Sequence, residues 1–184
     1  MKRVPALIRA GADEVVLRGS DDMRVAFRRV LLQAASARAA SEALTLLRKV
    51  VPRAGESVLA YCLAQADRPL TVDEMARDLG VHRKTLCNRA AAAGLPSPST
   101  LISWCRLFHA ARLLGESGAS VERTALVLGF GSGTALRNML RRYTGLRPRE
   151  VRHGGYRAIL TLLHQRLGAR SLTPGMPLTF DAGQ

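Results

Sequence analysis

A chain of 184 residues holds one compact domain, or one with a small attachment, and excludes a large multidomain enzyme. Apolar residues make up 47% but aromatic residues only 4%, so the core must come from Leu, Val and Ala, which favours helices packed on helices over an all-β sandwich. Lys and Arg number 28 against 14 acidic residues, a net charge of +14 that points to a polyanionic partner, nucleic acid first.

Near the start of the chain, Ala12-Asp13-Glu14-Val15-Val16-Leu17 contains a β-branched run that reads as a short strand, and Gly19-Ser20 then suits a helix start with Ser20 as N-cap. From Asp21, Met23, Val25, Ala26, Phe27, Val30 and Leu31 recur with helical period. Ala-rich sequence continues to Val51, with room for a break around 36–41, before Pro52 stops it. A further helix is predicted over 55–65, with Val58, Leu59, Cys62 and Leu63 on one face, closed by Arg68-Pro69.

An internal repeat follows. Thr71-Val72-Asp73-Glu74-Met75-Ala76-Arg77-Asp78-Leu79-Gly80-Val81 aligns, 49 residues on, with Ser120-Val121-Glu122-Arg123-Thr124-Ala125-Leu126-Val127-Leu128-Gly129-Phe130. Each segment begins with a capping hydroxyl and precedes a second helix, over 82–92 and 132–143. Two helices crossing within a short turn need a small residue where the backbones approach (Ala76, Ala125), a residue that accepts positive φ (Gly80, Gly129) and an apolar plug (Val81, Phe130). Between the copies, Leu101, Ile102, Trp104, Cys105, Leu107, Phe108, Ala111 and Leu114 make an apolar helix over 99–114, about 24 Å long, as a spine. Trp104 lies in that face and reads as core rather than as a platform for a base.

Over Leu70 to Arg152 the sequence resembles the AraC/XylS-type DNA-binding domain. The resemblance rests on the double motif, on Arg106-Leu107-x-x-Ala110-x-x-Leu113-Leu114 in the spine, and on the closing Gly145-Leu146-Arg147-Pro148-x-x-Val151-Arg152. Ala90, Leu136, Leu140 and Val151 stand where the family usually has aromatics. The expected fold is mainly α: two helix-turn-helix subdomains joined by a long linker helix, with a small N-terminal strand and helix. The expected divisions are 1–66 as connector, 67–153 as DNA-binding domain and 154–184 as a C-terminal helix with a flexible tail from Gly168. Residues 10–17 and the helix after them resemble the last strand and helix of a response-regulator receiver domain; the alternative is a helical connector with an incidental strand.

The resemblance implies a transcription regulator reading two successive major-groove segments, about 34 Å apart, with bending of the DNA to suit a shorter spine. Base contacts are expected from Lys84, Cys87 and Asn88, with Arg83 close by, in the first reading helix, and from Gly133, Thr134 and Asn138 in the second. Phosphate contacts are expected from Arg137, Arg141, Arg142, Arg147 and Arg149, in a run where Glu150 is the one acid. Arg106 and Arg152 are candidates for ion pairs inside the domain, and the helix N-termini at Thr71 and Ser120 for phosphate binding.

Other chemistry is poorly supported. Cys62, Cys87 and Cys105 are widely spaced, which argues against a disulfide framework, and His82, His109, His153 and His164 have no zinc-ligand spacing and read as surface or packing residues. Neither Cys87 nor Cys105 shows a nucleophile's Cys-His arrangement, so an enzyme is the weakest class and no cofactor is implied. Gly129 to Gly133 lacks the Lys-Ser/Thr of a phosphate loop and is a turn. Val4 to Ile8 is too short for a signal peptide and no apolar run approaches 18 residues, so a cytoplasmic protein without membrane contact is expected. Expected partners are double-stranded DNA, RNA polymerase, and a second copy through the apolar face of 23–51. The alternative function is a general, non-sequence-specific nucleic-acid-binding protein, which shares the charge but needs no paired reading helices.

Overall fold

The computed structural model describes residues 23–116 and 118–171, and every regular element among them is an α-helix. The strand expected at 12–17, the cap at Ser20 and the segment 172–184 lie outside the described residues. In chain order the helices are α1 (Met23–Leu47), α2 (Arg53–Gln65), α3 (Val72–Asp78), α4 (Arg83–Ala92), α5 (Pro98–Glu116), α6 (Val121–Val127), α7 (Gly133–Thr144) and α8 (Pro148–Ser171). The mainly-α expectation is met, and α1 runs through 36–41 without a break.

The chain divides into two compact units, 1–39 and 40–184. The last turns of α1 belong to the second, where Ala43 and Leu47 are fully buried and Tyr156 donates a 2.8 Å hydrogen bond to Glu42. Residues 40–66 thus pack with the helix-turn-helix segments. The sequence division at 66 does not coincide with this boundary, because α2 carries Val58, Leu59, Cys62 and Leu63 into the same core.

That core surrounds α5, which is buried on almost every face from Leu101 to Leu114, as a helix apolar all round must be. Trp104 is 1% exposed and meets Tyr143 edge-on at 5.7 Å, so it is a core residue. His109 is also fully buried, and its Nε2–H donates to the Leu63 carbonyl at 2.8 Å, tying α5 to α2. A carbonyl can only accept, so this contact selects the tautomer. Burial pushes the His109 pKa down.

The C-terminal part was expected to hold a helix from 154 and a tail from Gly168. Helix α8 begins at Pro148, leaves helical geometry at Gly155 (φ 58°, ψ −165°) and resumes to Ser171. Its second half buries Ile159, Leu160, Leu163 and Leu167, and α8 packs on α5 more extensively than any other helix pair does. The helix continues past Gly168, where a tail was expected, because this apolar stripe holds it on the spine. Residues 67–153 share this core with α2 and with the second half of α8.

Candidate nucleic-acid interface

The two helix-turn-helix motifs are built by the same local bonds. In the first, Thr71 caps α3 with a capping box: its hydroxyl accepts from the Glu74 amide at 3.2 Å and its amide donates to the Glu74 carboxylate at 2.8 Å. Hydrogen bonds from Thr71 hold the Glu74 carboxyl below the usual carboxylate range. In the second, Ser120 accepts from the Arg123 amide at 3.1 Å. The two N-termini differ, since the Glu74 carboxylate occupies the end of α3.

Each turn then closes with a Schellman pair. Val81 and Gly80 donate to the Ala76 and Arg77 carbonyls at 2.9 and 3.0 Å; Phe130 and Gly129 donate to Ala125 and Leu126 at 2.8 and 3.2 Å. Gly80 and Gly129 adopt φ of 63° and 67°, a left-handed conformation open to glycine. Behind the second turn, Arg106 of α5 donates to the Leu128 carbonyl at 2.7 Å and lies 4.1 Å over the Phe130 ring. Arg152 likewise donates to the Ala119 carbonyl at 2.7 Å. Both arginines that were candidates for internal ion pairs therefore bind backbone carbonyls, satisfying acceptors at the C-terminal end of α6 and in the approach to it.

The second helix of each motif buries a leucine-bearing face in the core and leaves a polar face exposed. In α4, Leu86 and Ala90 are buried; Arg83, Lys84 and Asn88 are exposed and Cys87 is half-buried. Lys84 and Asn88 share one face at i, i+4 spacing. In α7, Leu136 and Leu140 are buried and Thr134, Arg137, Asn138, Arg141 and Arg142 are exposed. Arg141 and Arg142 occupy the last turn, where the helix dipole favours positive charge. Arg147 and Arg149 are exposed beside them.

Gly133 differs from the other expected base-contact residues, because it is buried at the first position of α7. A Cβ there would lie 2.3 Å from Glu122 Oε1, so the Glu122 side chain crosses the space left by the missing methyl. Beyond it, Glu122 meets Arg137 Nη2 at 2.8 Å. In the first motif Asp73 meets Arg83 Nη1 at 3.1 Å. Asp73 and Glu122 each occupy the second position of their helix, a register visible in the repeat but not singled out from the sequence.

Cys62 and Cys105 are buried, and burial pushes the Cys105 thiol pKa well up, away from a reactive thiolate. Among the described residues no three His, Cys, Asp or Glu side chains gather where they could hold a metal ion, and no helix is long and apolar enough to cross a membrane.

Residues 75–154 match the family model described as a helix-turn-helix domain. The chain is 36% identical over 86 residues to the HTH-type transcriptional regulator VirS of Mycobacterium tuberculosis, covering 46% of this chain and 25% of VirS. It is 30% identical over 99 residues to the HTH-type transcriptional regulator GbdR of Pseudomonas aeruginosa, covering 54% of this chain and 27% of GbdR. The chain thus spans about a quarter of the length of these relatives. No solved structure matches it. With two identically closed turns on one buried spine, residues 75–154 form a helix-turn-helix domain similar to those of the AraC/XylS type.

Proposed function

We propose that the chain binds double-stranded DNA sequence-specifically as a cytoplasmic transcription regulator, inserting α4 and α7 into successive major-groove segments. The observation that carries this reading is the pairing of two motifs with the same turn geometry on one helix, each leaving a polar face of its second helix exposed. An α-helix fits the major groove, and the N-terminal part of such a helix meets the base edges. Lys84 and Asn88 in α4, and Thr134 and Asn138 in α7, occupy that part. Arg141, Arg142, Arg147 and Arg149 then supply sequence-independent attraction to phosphates. The spine of 19 residues is about 28 Å long, shorter than one helical turn of DNA at roughly 34 Å, which favours a bent duplex. RNA polymerase and a second copy of the chain are the further partners of this proposal.

A general nucleic-acid-coating role would account for the charge, but not for two motifs that present defined helix faces. Selection of bound sites from random duplex DNA separates the two. A motif in one block or two supports specific recognition; no enrichment leaves the general role.

A further inference from the structure

We propose that Arg137 determines specificity in α7 by pairing with a guanine, and that Glu122, seated on Gly133, positions it. The inference rests on the sequence-specific function above and assigns one base-reading contact within it. From its place in an arginine run, Arg137 would be one more phosphate contact. Its surroundings argue otherwise. Its guanidinium is drawn toward the N-terminal turn of α7, where Nη2 meets Glu122 Oε1 at 2.8 Å and Nη1 meets Thr134 Oγ1 at 3.5 Å. That end of the helix is the one that meets base edges.

The carboxylate has two effects there. It neutralises a guanidinium that would otherwise add to general phosphate attraction, and it holds a long, rotamer-rich side chain near one orientation before DNA arrives. Arginine has five N–H donors in a planar fork, so donors remain after these two contacts for the O6 and N7 acceptors of guanine, the commonest specific pairing in the major groove. Glu122 reaches Arg137 only because Gly133 lacks a Cβ, which would stand 2.3 Å from the carboxylate oxygen. Gly133 therefore acts through Glu122 and not by touching a base. The first motif has no such seat: α4 begins with Arg83, itself the residue paired with Asp73.

The test applies site selection from random duplex DNA to the full chain, together with thermal melting. The wild-type chain is expected to select a G·C pair at one position. Arg137→Ala should bind the selected site about ten-fold or more weakly and lose preference at that position, with little change on random DNA. Arg137→Lys keeps the charge but not the fork, so it should fail to restore the preference; a phosphate contact would be restored. Glu122→Gln and Gly133→Ala should flatten the same position while melting close to wild type, since Glu122 is exposed and can swing away from a new methyl. An enriched wild-type site with an unchanged Arg137→Ala profile overturns the base-reading role, as does rescue by Arg137→Lys. Unchanged profiles in Glu122→Gln and Gly133→Ala overturn the positioning role. A wild-type chain that enriches nothing refutes the sequence-specific function itself, and this inference with it.

Discussion

Gly80 and Gly129 occupy the same place in the two turns with nearly the same backbone, φ 63° and 67°, so alanine at either pays the same conformational penalty. That penalty is about 1–2 kcal/mol for a left-handed residue bearing a Cβ, partly offset by about 0.4–1 kcal/mol from a less flexible unfolded chain. The surroundings differ. A Cβ at Gly80 meets nothing within 4 Å, whereas one at Gly129 would lie 2.3 Å from Pro69 Cγ and 2.9 Å from Pro69 Cβ. Overpacking of this kind costs about 1–3 kcal/mol, so Gly129→Ala should be less stable than Gly80→Ala by that amount. At roughly 2–4 °C per kcal/mol for a unit of this size, the difference is readily measured by thermal melting. Pro69→Ala removes the Cγ, so combining it with Gly129→Ala should recover much of the excess, while its combination with Gly80→Ala should be additive. Equal melting temperatures for the two glycine variants, or additivity in both pairs, would refute the contact as the cause.

Asn138 is exposed one turn after Thr134, and Asn138→Ala should cost about 1–3 kcal/mol on a selected site and relax one base position, as read by site selection with melting unchanged. Arg141→Ala should weaken specific and random duplexes alike and reduce the slope of log affinity against log salt by about 0.9. Because burial lowers the folded-state pKa of His109 below the unfolded value of 6.5, the unfolded chain takes up the proton first. Stability should be full above about pH 6.5 and fall as the pH drops through and below it, and denaturant titrations of His109→Gln should show a flatter profile. Ending the chain at Arg152 strips Ile159, Leu160, Leu163 and Leu167 from the core. At about 1.5–3 kcal/mol each, this rivals a whole domain's stability of about 5–15 kcal/mol, so circular dichroism of the fragment should show no cooperative unfolding.

What was legible in the sequence is what local geometry demands. Gly80 and Gly129 stand where φ is positive, Ala76 and Ala125 are buried where helices approach, and the capping hydroxyls of Thr71 and Ser120 mark the helix starts. These requirements recur at fixed spacing, so a repeat exposes them. The pairing of Glu122 with Arg137 joins residues 15 apart through a gap that a missing methyl creates, and no periodicity announces that. Arg106 and Arg152 were recognisable as bonding within the domain, but spacing alone does not say whether a guanidinium meets a carboxylate or a carbonyl. A helix was expected after 153, but not that the chain turns at Gly155 and lays a second apolar stripe on the spine.

The contacts that were not legible also connect the two motifs. Pro69, in the segment leading into α3, touches Gly129 in the turn of the second motif, so the motifs meet directly as well as through α5. Arg106 holds that same turn to the spine, and Arg152 holds the approach to α6. The two turns are unequally filled. Phe130 is buried under Arg106, whereas Val81 is half-buried beside a cleft of about 430 Å³ lined also by Ala54, Val58, Leu86 and Arg89. A close-packed joint transmits strain rather than absorbing it, and the turn of the second motif is the one that both Pro69 and Arg106 touch. On the proposed reading of two groove segments, accommodation between the two helices and a duplex would fall mainly to the DNA and to the less filled first turn. On that reading, the spacing of the two segments would be as much a part of specificity as the bases within them.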